Sequence, residues 1–372
     1  MKRLLALLLA LMLCISLFGC AESKVSTEKT DSKEQTTAPE ETEKDPSQPE
    51  KESEPEKASE PEKESEPEKA SEPEKESEPE KESEPEEEHT GATPLLYKVS
   101  DDAGNVVWLF GSIHVGWEEY YPLPDYVLDA FDSSEALAVE FDVIAFEQDY
   151  DAMIEAMTSL IYLDGTDISD HIPEDLYDRA VAILEAENSY SSLLDIYLPV
   201  MWSTSIDNFV IPYAGADAEL GIDKYMINLA YDCDKPVLDV ESPALQYGML
   251  AGFSEELQIF MLESSVEGYE NMDEYIEELQ ALMTAWMEGD EETMIELVST
   301  SFDTEDPEEQ ALMEEYNYAM TESRNKDMAE FAVDALEDGE EIFICVGAAH
   351  IVGEGAMVEL LREQGYTVEL VR

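Results

Sequence analysis

From Lys51 to Glu86 the chain repeats one six-residue unit, Lys-Glu/Ala-Ser-Glu-Pro-Glu, six times without interruption. The proline in every unit denies a continuous helix, and the near absence of apolar side chains denies a core. With the Ser/Thr/Glu-rich approach from Ala21, residues 21–92 therefore read as a disordered acidic spacer biased towards extended polyproline II. At about 3.1 Å per residue such a spacer reaches at most roughly 220 Å, enough to hold a domain away from a membrane. A charged solubilising tail with no distance requirement is the alternative reading. Either way, folding is confined to residues 93–372, read as one domain.

Ahead of the spacer, Met1–Cys20 has a basic start at Lys2 and Arg3, an apolar run from Leu4 to Phe18, and then Gly19-Cys20. This is a secretory signal, too short and too early for a transmembrane span. Its ending, Leu17-Phe18-Gly19-Cys20, resembles a bacterial lipoprotein cleavage box, although Phe18 is bulkier than usual there. The resemblance implies lipidation of Cys20 and anchoring at the extracytoplasmic face of the cell membrane. A plain secretory signal is the competing interpretation.

The formal charge of -71 is not confined to the spacer, because residues 93–372 carry 64 acidic against 8 basic side chains. Such a surface repels nucleic acid and anionic headgroups. It suits solubility, cations or basic peptides. Of four cysteines, Cys14 and Cys20 fall in the signal, Cys233 in a loop-like setting and Cys345 in an apolar strand. That is too few for a disulfide scaffold; a buried free Cys345 is expected, and pairing with Cys233 is left open.

Pro94–Val99 and Val106–Gly111 read as strands joined by a turn at 101–105. Asp125 is placed to cap a helix over Tyr126–Ser133, followed by a buried strand, Ala136–Val139. Acidic amphipathic helices are expected near Phe146–Leu160, Pro173–Glu187, Leu193–Phe209 and Ala218–Tyr231. A short strand, Pro236–Val240, then precedes a long helical insertion from about Pro243 to Asp338. Its methionines (Met249, Met261, Met272, Met283, Met287, Met294) read as core rather than as a peptide-binding surface, given their amphipathic spacing. The chain closes with a strand (Ile342–Val346), a helix (Gly353–Gln364) ended by Gly365, and a strand (Tyr366–Val371). The pattern indicates an α/β fold, with α+β as the alternative.

Four of these apolar strands end on one ionisable residue each: His114, Glu140, Glu241 and His350. In open α/β sheets the carboxyl ends of strands line the functional crevice, so the four side chains are expected to converge. Two imidazoles and two carboxylates suit a divalent metal with open positions. Both histidines lie in a Gly-x-x-His context, at Gly111 and Gly347, where a missing side chain allows close approach to a ligand or a partner strand. There is no His-Glu-x-x-His helix, nucleophile elbow or phosphate-binding glycine loop, and Ser112 shows no base to activate it. His171 has no repeated context and reads as structural or surface.

Gly111-Ser112-Ile113-His114, the strand ending at Glu140, Gly221-Ile222-Asp223, Val240-Glu241-Ser242 with Gln246, Arg324-Asn325-x-x-Met328, and Gly347-Ala348-Ala349-His350 with Gly353 occur in that order. Together they resemble the TraB/GumN family, related to the Tiki proteins of animals, over nearly all of residues 93–372. The resemblance implies two related β/α halves around a central β-sheet with large helical insertions, as in erythromycin-esterase-like and ChaN-like proteins. It also implies metal-dependent peptidase chemistry, since the Tiki relatives are described as membrane-tethered metalloproteases, while some bacterial relatives are named for shutting down a peptide pheromone. On this reading His114 and His350 are metal ligands, and Glu140 is a third ligand or the base for water, with Glu241 the candidate for the remaining role. Arg324 either steadies an oxyanion or substrate carboxylate or forms a salt bridge with nearby acids. Asp223 is a helix cap or a supporting partner, and Asn325 is a supporting residue.

The leading expectation is thus a surface-tethered, metal-dependent peptidase-like hydrolase acting on an exported peptide or protein. The competitor is a non-enzymatic lipoprotein that binds or sequesters a peptide, metal or haem-like ligand. The anchor is testable by itself: Cys20→Ala is expected to move the protein from the detergent phase to the aqueous phase in detergent partitioning. Unchanged membrane retention would remove the lipid anchor.

Overall fold

The computed structural model describes residues 91–298 and 306–372; the signal segment, Cys20 and the repeat spacer lie outside them. β1 (Leu96–Ser100) and β2 (Val106–Ser112) form an antiparallel hairpin with Val99 opposite Val107. The Asp101 carboxylate closes its turn by accepting the Asn105 N–H at 2.8 Å, and Gly104 takes the left-handed conformation at φ 92°. β3 (Ala136–Val139), β4 (Val237–Asp239), β5 (Ile342–Gly347) and β6 (Thr367–Val371) complete a six-stranded sheet of order β4-β3-β5-β2-β1-β6. β2, β5, β3 and β4 run parallel to one another, whereas β1 and β6 add an antiparallel edge. The fold is therefore α/β, as expected.

β3 is buried along its whole length and β5 up to its last residue, which explains why they read as unbroken apolar runs rather than alternating ones. β2 and β5, the strands that lead to the two Gly-x-x-His segments, lie side by side with Ser112 opposite Gly347. That register brings the two motifs to one edge of the sheet.

Between β2 and β4 come α1 (Asp125–Ser133), α2 (Val143–Gln148), α3 (Tyr150–Ser159), α4 (Glu174–Ala186), α5 (Pro199–Tyr213) and α6 (Ile222–Asp232). Between β4 and β5 come α7 (Pro243–Ala251), α8 (Glu255–Glu270), α9 (Met272–Glu288), α10 (Glu291–Val298), α11 (Pro307–Asn317) and α12 (Ser323–Asp338). After β5 the chain forms a short α13 (Ala348–Ile351) and α14 (Met357–Glu363), which Gly365 at φ 96° separates from β6.

Three local expectations shift. Asp125 is the first residue of α1 rather than its cap, a place taken by Pro124; its charge still faces the positive helix end. The helix expected over Phe146–Leu160 divides because the Asp149 carboxylate accepts the N–H groups of Asp151 and Ala152 and starts α3 afresh. Likewise, Pro199 opens α5 after a separate 3-10 turn at Leu194–Ile196.

α6 packs on β3 and β5, and α12 on β2, in the largest apolar cluster, which surrounds the sheet. α3, α7 and α8 contribute to a second cluster around Phe146, Tyr247 and Met261, while α4, α5 and α8 build a third around Trp202 and Leu262. Met261, Met283 and Met294 are buried, in line with a core role. Cys345 is a buried free thiol and Cys233 an exposed one, so the two do not pair. Among the described residues no helix is long and apolar enough to cross a membrane.

One buried acid stands inside the helical layer. Asp207 on α5 is 2% exposed and accepts the Tyr275 hydroxyl at 2.8 Å, while its Oδ2 has no partner among the described residues. Burial raises its pKa from 3.8 to about 7, outweighing the opposing hydrogen bond from Tyr275. Below pH 3.8 the folded and unfolded chains both hold this proton; as pH rises towards 7 only the unfolded chain releases it, and folding loses stability. At about 1.4 kcal/mol per unit, the loss is on the order of 4 kcal/mol. Asp207→Asn is therefore expected to stabilise the protein against urea at pH 7–8, with the gain shrinking towards pH 4.

Candidate functional site

The four strand-end residues come together at the carboxyl edge of the sheet, each a short step past its strand. His114 lies in the loop after β2, Glu140 directly after β3, Glu241 after β4, and His350 within α13. Because β3 pairs with both β4 and β5, Glu140 stands between the other carboxylate and the second histidine.

The two carboxylates are gripped by one guanidinium. Arg324 Nη2 donates to Glu140 Oε2 at 2.6 Å and to Glu241 Oε2 at 2.7 Å, and Nε donates to Glu241 Oε1 at 2.7 Å. Gln246 Nε2 donates to the same Oε2 atoms at 2.9 and 2.8 Å. A π-helical turn, Tyr318–Glu322, precedes α12, and its Met320 carbonyl accepts Arg324 Nη1 at 3.1 Å. The three charged side chains are only 4–5% exposed. Four of the five Arg324 hydrogens are thus committed, three of them to the two acids, so the salt bridge expected of this residue is present.

Each imidazole is held through Nδ1. His114 Nδ1 meets Asp223 Oδ2 at 2.6 Å, and the other Asp223 oxygen accepts the Ser112 hydroxyl at 2.5 Å. Asp223 sits in the first turn of α6 without capping it, and its carboxylate instead holds His114 and Ser112. His350 Nδ1 meets Asn325 Oδ1 at 2.6 Å, while Asn325 Nδ2 donates to the Gly355 carbonyl at 2.9 Å. That second bond orients the amide, so His350 must donate from Nδ1. In both rings Nε2 is left with a bare lone pair when the imidazole is neutral.

The two motif glycines do different work. A side chain on Gly111 would run into Ala348 at 3.0 Å, so this glycine lets β2 approach the helix that carries His350. At Gly347, the place where a side chain would begin lies 3.2 Å from Glu140 Oε1, 3.6 Å from His350 Cδ2 and 3.9 Å from His114 Nε2. The missing side chain leaves a gap onto which three donor-bearing groups close. Glu140 Oε1 also accepts the Gly347 N–H at 2.9 Å and stands 3.8 Å from His350 Nε2.

Electrostatics separates the two rings. Burial, with help from the Arg324 charge, drives the His350 pKa down to about 3, so this ring is neutral at ordinary pH. Burial also pulls on His114, but the Asp223 charge and hydrogen bond more than offset it and raise the value. Burial pushes the Glu140 pKa up, yet Arg324, the imidazoles and the Gly347 N–H outweigh it and hold the carboxyl below its usual range. Among the described residues the ion pairs of the site include one guanidinium, shared by Glu140 and Glu241, and the carboxylate of Asp223 on His114.

The family model for TraB/PrgY/gumN matches residues 95–370, nearly all of the described chain. The chain belongs to the TraB/PrgY/gumN family. It is 25% identical over 256 residues to the uncharacterized protein YbaP of Escherichia coli K-12, covering 68% of this chain and 87% of that protein. The YbaP of Shigella flexneri matches with the same identity and coverage. No solved structure matches.

In this TraB/PrgY/gumN member the sequence pattern placed His114, His350, Glu140, Glu241, Arg324, Asp223 and Asn325, and the fold brings all of them together. Gln246 stands in the sequence only as part of a motif; its signal is that it is an amide in the mainly apolar helix α7, where it is buried. His171 lies elsewhere, stacked on Tyr162 at 4.1 Å with Thr166 and Glu255 as partners. Ser112 donates to Asp223, and among the described residues no imidazole is hydrogen-bonded to it as a base. Removing the shared cation should be costly: Arg324→Met is expected to lower stability to urea by about 3–5 kcal/mol, because two buried carboxylates lose their counter-charge.

Proposed function

We propose that this protein is a metal-dependent, peptidase-like hydrolase of the extracytoplasmic surface, held to the membrane through Cys20 and acting on an exported peptide or protein. The observation that carries the reading is the arrangement around Gly347: two Nδ1-tethered imidazoles and Glu140 Oε1 border one gap. Tethering of Nδ1 by a side-chain oxygen is the usual support for a histidine that ligates through Nε2. The excess of carboxylate over guanidinium around the gap favours a cation there. Among the described residues no three His, Cys, Asp or Glu side chains already form a closed ligand set, so Glu140 or a ring would close in on binding.

His114 and His350 would hold the ion through Nε2, with Asp223 and Asn325 fixing the rings. When bound, a divalent ion supplies Lewis acidity, which polarises a carbonyl and eases proton loss from water. Glu140 offers Oε1 either as the third donor or as the acceptor of a proton from attacking water. Glu241 and Arg324 do not face the gap as free groups; they keep Glu140 charged and aimed. The relation to Tiki-like, erythromycin-esterase-like and ChaN-like proteins is part of the same proposal.

One observation favours a second reading, non-enzymatic capture of a metal, peptide or haem-like ligand. Glu140 has a single oxygen turned to the gap and Glu241 has none, so one carboxylate oxygen would have to serve as ligand or as base. Metal analysis of the purified full chain, with peptide-library cleavage by the unaltered protein, His114→Ala and His350→Ala, separates the two. Hydrolysis predicts a stoichiometric divalent metal and cleavage that both substitutions abolish. Metal or peptide binding without histidine-dependent cleavage would favour capture, and no metal at all would sink the metal centre.

A further inference from the structure

Glu140 and Glu241 turn their Oε2 atoms towards each other across two nitrogens, Arg324 Nη2 and Gln246 Nε2. Each nitrogen carries two hydrogens and donates one to each carboxylate, so a closed ring of hydrogen bonds joins the pair. Arg324 Nε adds the bond that completes a fork on Glu241. The ring occupies Oε2 of Glu140 and, with the fork, both oxygens of Glu241. Only Glu140 Oε1, which holds the Gly347 N–H, faces the imidazoles.

Gln246 is 2% exposed, and burying an amide there is unfavourable unless its hydrogens find acceptors. Both hydrogens go to carboxylate oxygens, and among the described residues no other neutral side chain donates to either acid. If this amide were lost, Glu140 Oε2 would be held by Arg324 Nη2 alone, leaving one restraint fewer against turning a second oxygen towards the gap.

Resting on the metal reading above, we infer that Gln246 is a positioning residue: it keeps Glu140 a one-oxygen donor and thereby favours nitrogen-accepting first-row ions over calcium. Calcium takes about six to eight oxygen ligands and often grips a carboxylate through both oxygens. An ion such as Zn²⁺ is satisfied by imidazole nitrogens and one carboxylate oxygen. In an extracytoplasmic setting, where calcium is plentiful, this restraint on one side chain determines which ion the site retains.

The test is calorimetric titration of the metal-stripped full chain with Zn²⁺ alone and with Ca²⁺ alone, comparing the unaltered protein with Gln246→Met. The unaltered protein is expected to take up Zn²⁺ stoichiometrically and Ca²⁺ far more weakly. Gln246→Met should lose about 10–100-fold in Zn²⁺ affinity while Ca²⁺ affinity holds or rises, so that the ratio of the two falls. Equal losses for both ions, or an unchanged ratio, would overturn the inference, since a merely structural amide weakens both alike. Absence of Zn²⁺ binding by the unaltered protein would overturn the metal reading itself, and this inference with it. If the methionine variant does not fold by circular dichroism, Gln246→Asn, which draws the amide back by one methylene, is judged by the same ratio.

Discussion

Two carboxylates at the ends of neighbouring strands repel each other, and burying both would be prohibitive without a shared counter-charge. Arg324 supplies it. Its planar fork meets Glu241 through Nε and Nη2 and reaches Glu140 with the same Nη2, so one side chain from α12 ties the ends of β3 and β4 together. Lysine has no such fork. The rest of the site depends on this clamp, because it decides that Glu140 is ionised and which of its oxygens is turned to the imidazoles.

From that fixed carboxylate the remaining geometry follows. β5 lies between β3 and β2, so its end brings the Gly347 N–H onto Glu140 Oε1, and α13 then carries His350 beside it. β2 delivers His114 from the other side, where α6 meets it with Asp223. The two rings are tethered alike but differ in charge balance: the carboxylate partner raises the pKa of His114, whereas burial and the nearby guanidinium keep His350 neutral. A neutral ring with a bare Nε2 beside a committed carboxylate is an arrangement suited to holding a cation.

The sequence made the strand ends legible because an apolar run that stops at a single ionisable residue signals burial followed by exposure to a crevice. His114, Glu140, Glu241 and His350 were found that way, and the repeated Gly-x-x-His singled out two of them. What could not be read were the partners. Asp223 is far from His114 along the chain and Gln246 far from Glu140, and such pairings are set by how α6 and α7 dock on the sheet. Arg324 stands out in the sequence as one of the few cations in an acidic chain, but the two carboxylates it clamps come from distant strand ends. Local breaks were missed for a different reason: the Asp149 side chain captures backbone N–H groups and restarts a helix inside a stretch whose apolar periodicity is unbroken.

The central claim is that His114, His350 and Glu140 share one cation. It is met most directly by an anomalous difference map from a crystal of the protein soaked in Zn²⁺, collected at the zinc edge. A single strong peak within about 2.0–2.2 Å of both Nε2 atoms and Glu140 Oε1 is the predicted result. Density at surface carboxylates with none beside Gly347 would contradict it.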